Sequence, residues 1–196
     1  MFQVRIHGRG GQGVVTAAEM LSVAAFHEGR DAQAFPSIGS ERTGAPVVAF
    51  CRIDDREIRL REPVAEPDAL IVQDATLLHQ VDLFSGLRPD GYVLINSPRS
   101  ADELGVGELS SRVRHGRLLT VPATELALRH IGRPIPNTAL LGGFCAISGI
   151  VSIESLARAV GERFGAELAA SNVAAAREAY AWVETEMREL AHAPAD

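Results

Sequence analysis

Residues 4–25 impose the tightest constraint on this chain. Val4-Arg5-Ile6-His7 reads as a short strand, Gly8-Arg9-Gly10-Gly11-Gln12-Gly13 follows at once, and Val14, Val15, Ala18, Leu21 and Ala25 then recur at helical spacing. Strand, glycine-rich turn and helix in that order open an α/β unit. Glycines let the backbone turn with positive φ and approach a ligand closely, and the unpaired N–H groups at the helix start favour an anion. Arg9 in the same turn adds a charge suited to phosphate or carboxylate. Gly8-x-Gly10-x-x-Gly13 also matches the dinucleotide fingerprint. A nicotinamide dinucleotide further requires an acidic residue at the C-terminal end of the second strand. Asp31 falls at the start of that strand, and the far end is Phe35-Pro36-Ser37. A phosphate cradle and a purely structural tight turn therefore stand ahead of an NAD site.

The rest of the chain alternates strands and helices. Gly29 suits the residue after the first helix, and Asp31–Phe35 a second strand that stops at Pro36. Val47–Ile53 and Glu57–Leu60 flank Asp54-Asp55-Arg56, which predicts an antiparallel hairpin. Ala69–Val72 and Tyr92–Ile95 are continuous apolar runs of the kind found in central parallel strands, joined by a predicted helix over Thr76–Phe84. Leu118–Val121 is a further strand, followed by a helix over Thr124–His130. Beyond Pro136 the chain is helical: Asn137 is the expected N-cap of a helix over Thr138–Ile150 that carries no charge, then come helices over Ile153–Phe164 and Glu167–Leu190. The chargeless helix must be buried on most sides or pressed against a partner. In the last helix Val173, Ala176, Tyr180, Val183, Met187 and Leu190 form one apolar stripe, expected to lie on the chain's own core. The expected architecture is a single domain, residues 1–196: a three-layer α/β fold with a mostly parallel sheet, an antiparallel hairpin and a helical C-terminal part.

Composition removes several function classes. With 19 basic against 25 acidic residues the net charge is −6, so the cationic footprint that binds nucleic acid or an anionic membrane is missing. No apolar run approaches the ~18 residues needed to span a bilayer, and a cytoplasmic location is the expectation. Two cysteines, Cys51 and Cys145, cannot build an iron–sulfur cluster, which takes about four thiolates. They read as small core residues. Every basic residue is an arginine, so Schiff-base and lysine-base chemistry is out. Six histidines show no metal-binding spacing, and no nucleophile elbow occurs. The chain reads as a binding scaffold more than a complete enzyme.

A second polar loop, Ser37-Ile38-Gly39-Ser40-Glu41-Arg42-Thr43-Gly44, leaves the second strand at the same sheet edge as the glycine turn, the edge where open α/β sheets bind ligands. It is either a closing element over a ligand or a solvated surface loop. Asp74 and Thr76 leave the third parallel strand on that side, and a helix N-cap is their expected role.

Gly8–Ala17, Ala34-Phe35-Pro36, Glu41-Arg42-Thr43-Gly44-Ala45-Pro46-Val47, Glu66-Pro67-Asp68 and Arg133-Pro134-Ile135-Pro136-Asn137-Thr138 together resemble the gamma subunit of 2-oxoacid:ferredoxin oxidoreductases, over about residues 2–185. The Glu-Arg-x-Gly-Ala-Pro form of the second loop is similar to the branch acting on pyruvate and branched-chain oxoacids. The resemblance implies a multi-chain enzyme that decarboxylates a 2-oxoacid on thiamine diphosphate, passes electrons through 4Fe-4S clusters to ferredoxin and transfers the acyl group to coenzyme A. Thiamine diphosphate and the clusters would sit on alpha, beta and delta-type partner subunits; the nearest approach to a thiamine-binding G-D-G here is Pro89-Asp90-Gly91. This chain would contact coenzyme A through Gly8, Arg9, Gly10, Gly11, Gln12 and Gly13, with Ser37, Glu41, Arg42 and Gly44 at the entrance and Asn137 and Thr138 beside it. The small-residue face of the helix from Thr138 would be a subunit contact. A stand-alone NAD-binding oxidoreductase and a non-catalytic structural module are the alternatives.

Overall fold

Strand β1, Phe2–Arg9, turns its residues alternately to two different environments. Val4 and Ile6 enter a large apolar core on one side of the sheet, whereas Arg5 reaches the other side and donates to the Leu83 and Ser85 carbonyls at 2.8 and 2.7 Å. The computed structural model describes residues 1–37, 43–106 and 113–192. Within them the order continues with α1 (Val14–His27), β2 (Asp31–Pro36), β3 (Pro46–Asp54), β4 (Ala69–Val72), a short 3-10 helix (Ala75–His79), β5 (Tyr92–Asn96) and β6 (Leu118–Val121). Four helices follow: α2 (Ala123–Ile131), α3 (Asn137–Ser148), α4 (Ile153–Arg163) and α5 (Ala166–His192).

The six strands form one mixed sheet in the order β2-β3-β1-β4-β5-β6. β1, β4, β5 and β6 run parallel, while β3 is antiparallel to both β1 and β2. All four residues of β4 are buried, as its unbroken apolar run requires. The five helices contribute to the core on one face. The opposite face is closed by the 3-10 helix and irregular chain, through Leu77, Leu83, Leu104, Val106 and Val113.

Three local expectations are corrected. The antiparallel hairpin is β2–β3, joined through residues 37–45, and Glu57–Leu60 forms no strand. Both edges of β3 are already occupied by β1 and β2, so no third partner fits. The following segment is held by side chains instead, with Arg52 Nη2 donating to the Glu62 carbonyl at 2.6 Å. The helix expected over Thr76–Phe84 is only the 3-10 helix ending at His79. Asn137 is the first residue of α3 and Pro136 takes the N-cap position.

The chargeless helix α3 is core, which corrects the expected subunit contact. A Cβ on Gly142 would lie 2.0 Å from the Ala176 carbonyl oxygen of α5, so the two helix backbones touch there. Gly143 faces Leu94 of β5, Val121 of β6 and Val183 of α5. α3 is thus sandwiched between the sheet and α5, and a charge anywhere along it would be buried. The stripe on α5 supplies the cover: Ala176 and Val183 are buried, and Val173, Tyr180, Met187 and Leu190 pack against the same core.

Candidate functional site

The glycine-rich turn lies at the C-terminal end of β1, where β1, β4 and the start of β3 meet. Gly11 and Gly13 have φ of 95° and 72°, a conformation that strains any residue with a side chain. Gly13 occupies the N-cap of α1 and provides no capping side chain. The first helical bond of α1 runs from Ala17 N–H to the Gly13 carbonyl at 2.9 Å, leaving the N–H groups of Val14, Val15 and Thr16 without helical partners. No acidic residue occupies the first turn. This helix end therefore presents donors and a positive dipole end.

The turn is braced by side chains. Gln12 Oε1 accepts from the Arg9 backbone N–H at 2.8 Å, and its Nε2 donates to Asp74 at 2.9 Å. Asp74 caps the 3-10 helix as expected, accepting from Thr76 N–H at 3.0 Å. Partial burial alone would raise the Asp74 pKa; hydrogen bonds from Thr76 and Gln12 and the Arg9 charge outweigh it and hold the carboxyl below its ordinary value.

Arg9 does not offer the free charge expected of it. Its Nε lies 3.2 Å from Asp74 Oδ2, Nη1 donates to the Gly44 carbonyl at 3.1 Å, and Nη2 donates to Thr76 at 2.7 Å and Gln80 at 2.9 Å. Arg9 is a positioning residue that ties the turn to β4 and to the second loop.

The described end of the second loop, Thr43-Gly44, meets the turn. Gly10 N–H donates to Ala45 O at 2.9 Å, and Gly44 N–H donates back to Gly10 O at 3.1 Å. Gly44 thus adjoins the turn, and Ser37 lies exposed at the end of β2. Glu41 and Arg42 fall outside the described residues. Asn137 and Thr138, distant in sequence, are brought in by α3. Asn137 is 4% exposed and donates through Nδ2 to the Gly13 carbonyl at 3.3 Å, while its Oδ1 accepts from Thr138 N–H at 2.8 Å. A Cβ on Gly13 would lie 2.4 Å from that Nδ2, so the turn and α3 meet because residue 13 is glycine.

Beside the turn opens a cavity of about 250 Å³. Gly11, Gly13 and Thr16 form one wall; Ile131, Arg133, Ile135 and Asn137 another; Arg163, Phe164, Leu168 and Asn172 close it. Two arginines and no carboxylate line it. Arg133 belongs to a motif already singled out, but Arg163 was missed. It sits at the end of α4, and only the tertiary packing of α4 against α1 carries it to this cavity. Its contact with Glu19 is 3.5 Å long and about half exposed, a weak pair.

The nicotinamide alternative meets a topological obstacle. The strand beside β1 on that side is the antiparallel β3, and β2 lies beyond it. Asp31 at the start of β2 accepts from Ile58 N–H, away from the turn. Both cysteines are buried in the helix-side core, and burial pushes the Cys51 thiol up to about 12 and raises Cys145 as well, as suits packing residues. Among the described residues no three His, Cys, Asp or Glu side chains gather as a metal site, and no helix is long and apolar enough to cross a membrane.

Comparison with known proteins gives the family. The family model for pyruvate ferredoxin/flavodoxin oxidoreductase matches residues 3–182. Pyruvate synthase subunit PorC of Methanocaldococcus jannaschii is 49% identical over 92% of this chain and 96% of its own length. The pyruvate/ketoisovalerate oxidoreductases common subunit gamma of Pyrococcus furiosus is 47% identical over 97% of this chain and 100% of its own. The crystal structure of pyruvate oxidoreductase subunit PORC from Thermotoga maritima superposes with a TM-score of 0.76 at 36% identity, covering 92% of this chain and 95% of that one. Matched almost end to end in both sequence and fold, this chain belongs to the pyruvate ferredoxin/flavodoxin oxidoreductase family, as one of its gamma subunits.

Proposed function

We propose that this gamma subunit supplies the coenzyme A phosphate cradle of a pyruvate-type 2-oxoacid:ferredoxin oxidoreductase. In this reading the chain assembles with alpha, beta and delta-type subunits in the cytoplasm. Those partners hold thiamine diphosphate and the 4Fe-4S clusters, and ferredoxin accepts the electrons. Oxidative decarboxylation occurs on the partner chains, and the acyl group passes to coenzyme A held partly here.

The observation that carries the reading is the uncapped N-terminus of α1 beside a cavity with two arginines and no carboxylate. A helix start of this kind binds phosphate through backbone N–H groups and the helix dipole. Gly11, with nothing near where a side chain would stand, leaves that start open to close approach, and the apolar walls at Ile135, Phe164 and Leu168 suit the organic part of the molecule. Arg9, Gln12, Asp74 and Gly44 hold the turn in shape without touching ligand themselves.

Replacing Arg9 with alanine in the assembled complex releases this brace. The KM for coenzyme A is expected to rise about tenfold, the scale of losing a set of charge-assisted hydrogen bonds that position the cradle. An unchanged KM for coenzyme A would overturn the reading.

A further inference from the structure

The sheet ends on two outer strands, β2 and β6. β2 begins on the exposed Asp31 and stops at Pro36, which has no backbone donor. β6, Leu118-Leu119-Thr120-Val121, carries neither a charge nor a proline. Its ladder to β5 is bracketed by Val93 N–H donating to the Arg117 carbonyl at 2.7 Å and Ser97 N–H donating to the Val121 carbonyl at 3.0 Å. With Val93 opposite Leu118, parallel pairing turns the backbone groups of Leu119 and Val121 toward β5 and those of Leu118 and Thr120 away from it. Among the described residues these outward groups have no partner. Beside them lies a cavity of about 560 Å³, lined by Leu118 and Thr120 themselves. Its walls stand on both faces of the sheet: Glu186 and Leu190 of α5 on the helix side, Ala101 and Val113 on the other. Glu186 also lines a second groove, of about 400 Å³, that runs along α5 past Trp182 and Glu189. Trp182, the only tryptophan of the chain, is 44% exposed there. Burial and the Glu189 charge raise the Glu186 carboxyl above its ordinary value, so a cation arriving beside it is favoured.

We propose that β6 is an assembly edge: an extended segment of a partner subunit adds to it as a seventh strand and sets a basic side chain against Glu186 and Trp182. Outward N–H and C=O groups repeating every second residue are matched by extended backbone. The walls on both faces cover such a strand as an inner strand is covered. They admit one extended segment and exclude the equally flanked edge of a second copy. The basic side chain follows from the two carboxylates and the open indole face, which pair with and stack on a guanidinium or ammonium group. The assignment goes beyond the coenzyme A reading and does not depend on it; it rests on the chain's place in a multi-chain oxidoreductase.

The test compares the isolated chain with the assembled complex. Hydrogen–deuterium exchange is expected to be fast at the Leu118 and Thr120 amides of the isolated chain and about a hundredfold slower in the complex, while Leu119 and Val121 are protected in both. Thr120→Pro removes an outward donor that the ladder to β5 does not use, so the isolated variant keeps its melting temperature and binds its partners about tenfold or more weakly. Thr120→Val keeps the donor and assembles as wild type. Glu186→Arg, on the surface of α5, weakens assembly by a similar factor by meeting the partner's cation with a like charge. Leu118 and Thr120 amides that exchange at the same rate in chain and complex overturn the proposal, whether both are slow because the chain covers its own edge or both are fast. An isolated chain that is a dimer and is split by Thr120→Pro overturns it in favour of a second copy. A Glu186→Arg chain that assembles as wild type overturns the basic side chain, and a folded Thr120→Pro chain that does so overturns the added strand.

Discussion

His7 and Arg9, two residues apart on β1, show how one strand serves both the fold and the site. Both point away from the helix layer, but only Arg9 lies beyond the last buried position and can grip the neighbouring loops. His7 is 8% exposed, and burial together with the Arg5 charge lowers its pKa from 6.5 to about 4. Between those values the unfolded chain binds a proton that the folded chain refuses. Stability is therefore complete above pH 6.5 and falls as the pH drops toward 4, by about 3 kcal/mol in all. Urea unfolding at pH 7 and pH 5 should show a clear loss of stability at the lower pH in the native chain and a smaller one in His7→Met. Equal losses in both proteins would contradict this account of His7. Neither property was legible in the sequence: a histidine in a short strand gives no sign of its burial, and Arg9 reads as a free cation until Asp74, Thr76, Gln80 and Gly44 are seen around it.

Among the elements, α3 explains most about how the site is held. Its lack of charge follows from its place between the sheet and α5, and its first residue, Asn137, clips it to the glycine turn. Adjacent glycines on this helix should respond differently to the same substitution. Gly142→Ala drives a methyl group into the α5 backbone at Ala176 and should cost about 3 kcal/mol, whereas Gly143→Ala meets only the side chains of Leu94 and Val183 at 3.1 Å and should cost about 1 kcal/mol or less. Denaturant midpoints of the two variants measure the difference; equal costs would mean that α3 and α5 can separate freely. Periodicity made α5 and the buried strands β4 and β5 readable, because a stripe or an unbroken apolar run states which face is covered. The position of β3 was not readable. Alternation shows that a segment is a strand, but not that two neighbours already fill both its edges, so the extra strand at Glu57–Leu60 was a natural error.

Across the whole molecule, residues 11–16, the α2–α3 connection with the start of α3, and the α4–α5 junction converge on one cavity. The glycine turn and Gly44 were legible as candidates from local chemistry, and Asn137 and Thr138 through the family resemblance. Arg163 was not, since its contribution exists only through the packing of α4 on α1. In the proposed reading this chain offers an anion cradle and leaves electron transfer and decarboxylation to other chains, while its own two cysteines lie buried in the core. The central claim is that the coenzyme A phosphates rest on this subunit. A structure of the assembled complex with coenzyme A bound tests it most directly. The account predicts phosphate oxygens about 3 Å from backbone N–H groups of residues 11–16, at hydrogen-bond distance. Phosphates seated wholly on a partner subunit, with the start of α1 facing only solvent, would contradict it.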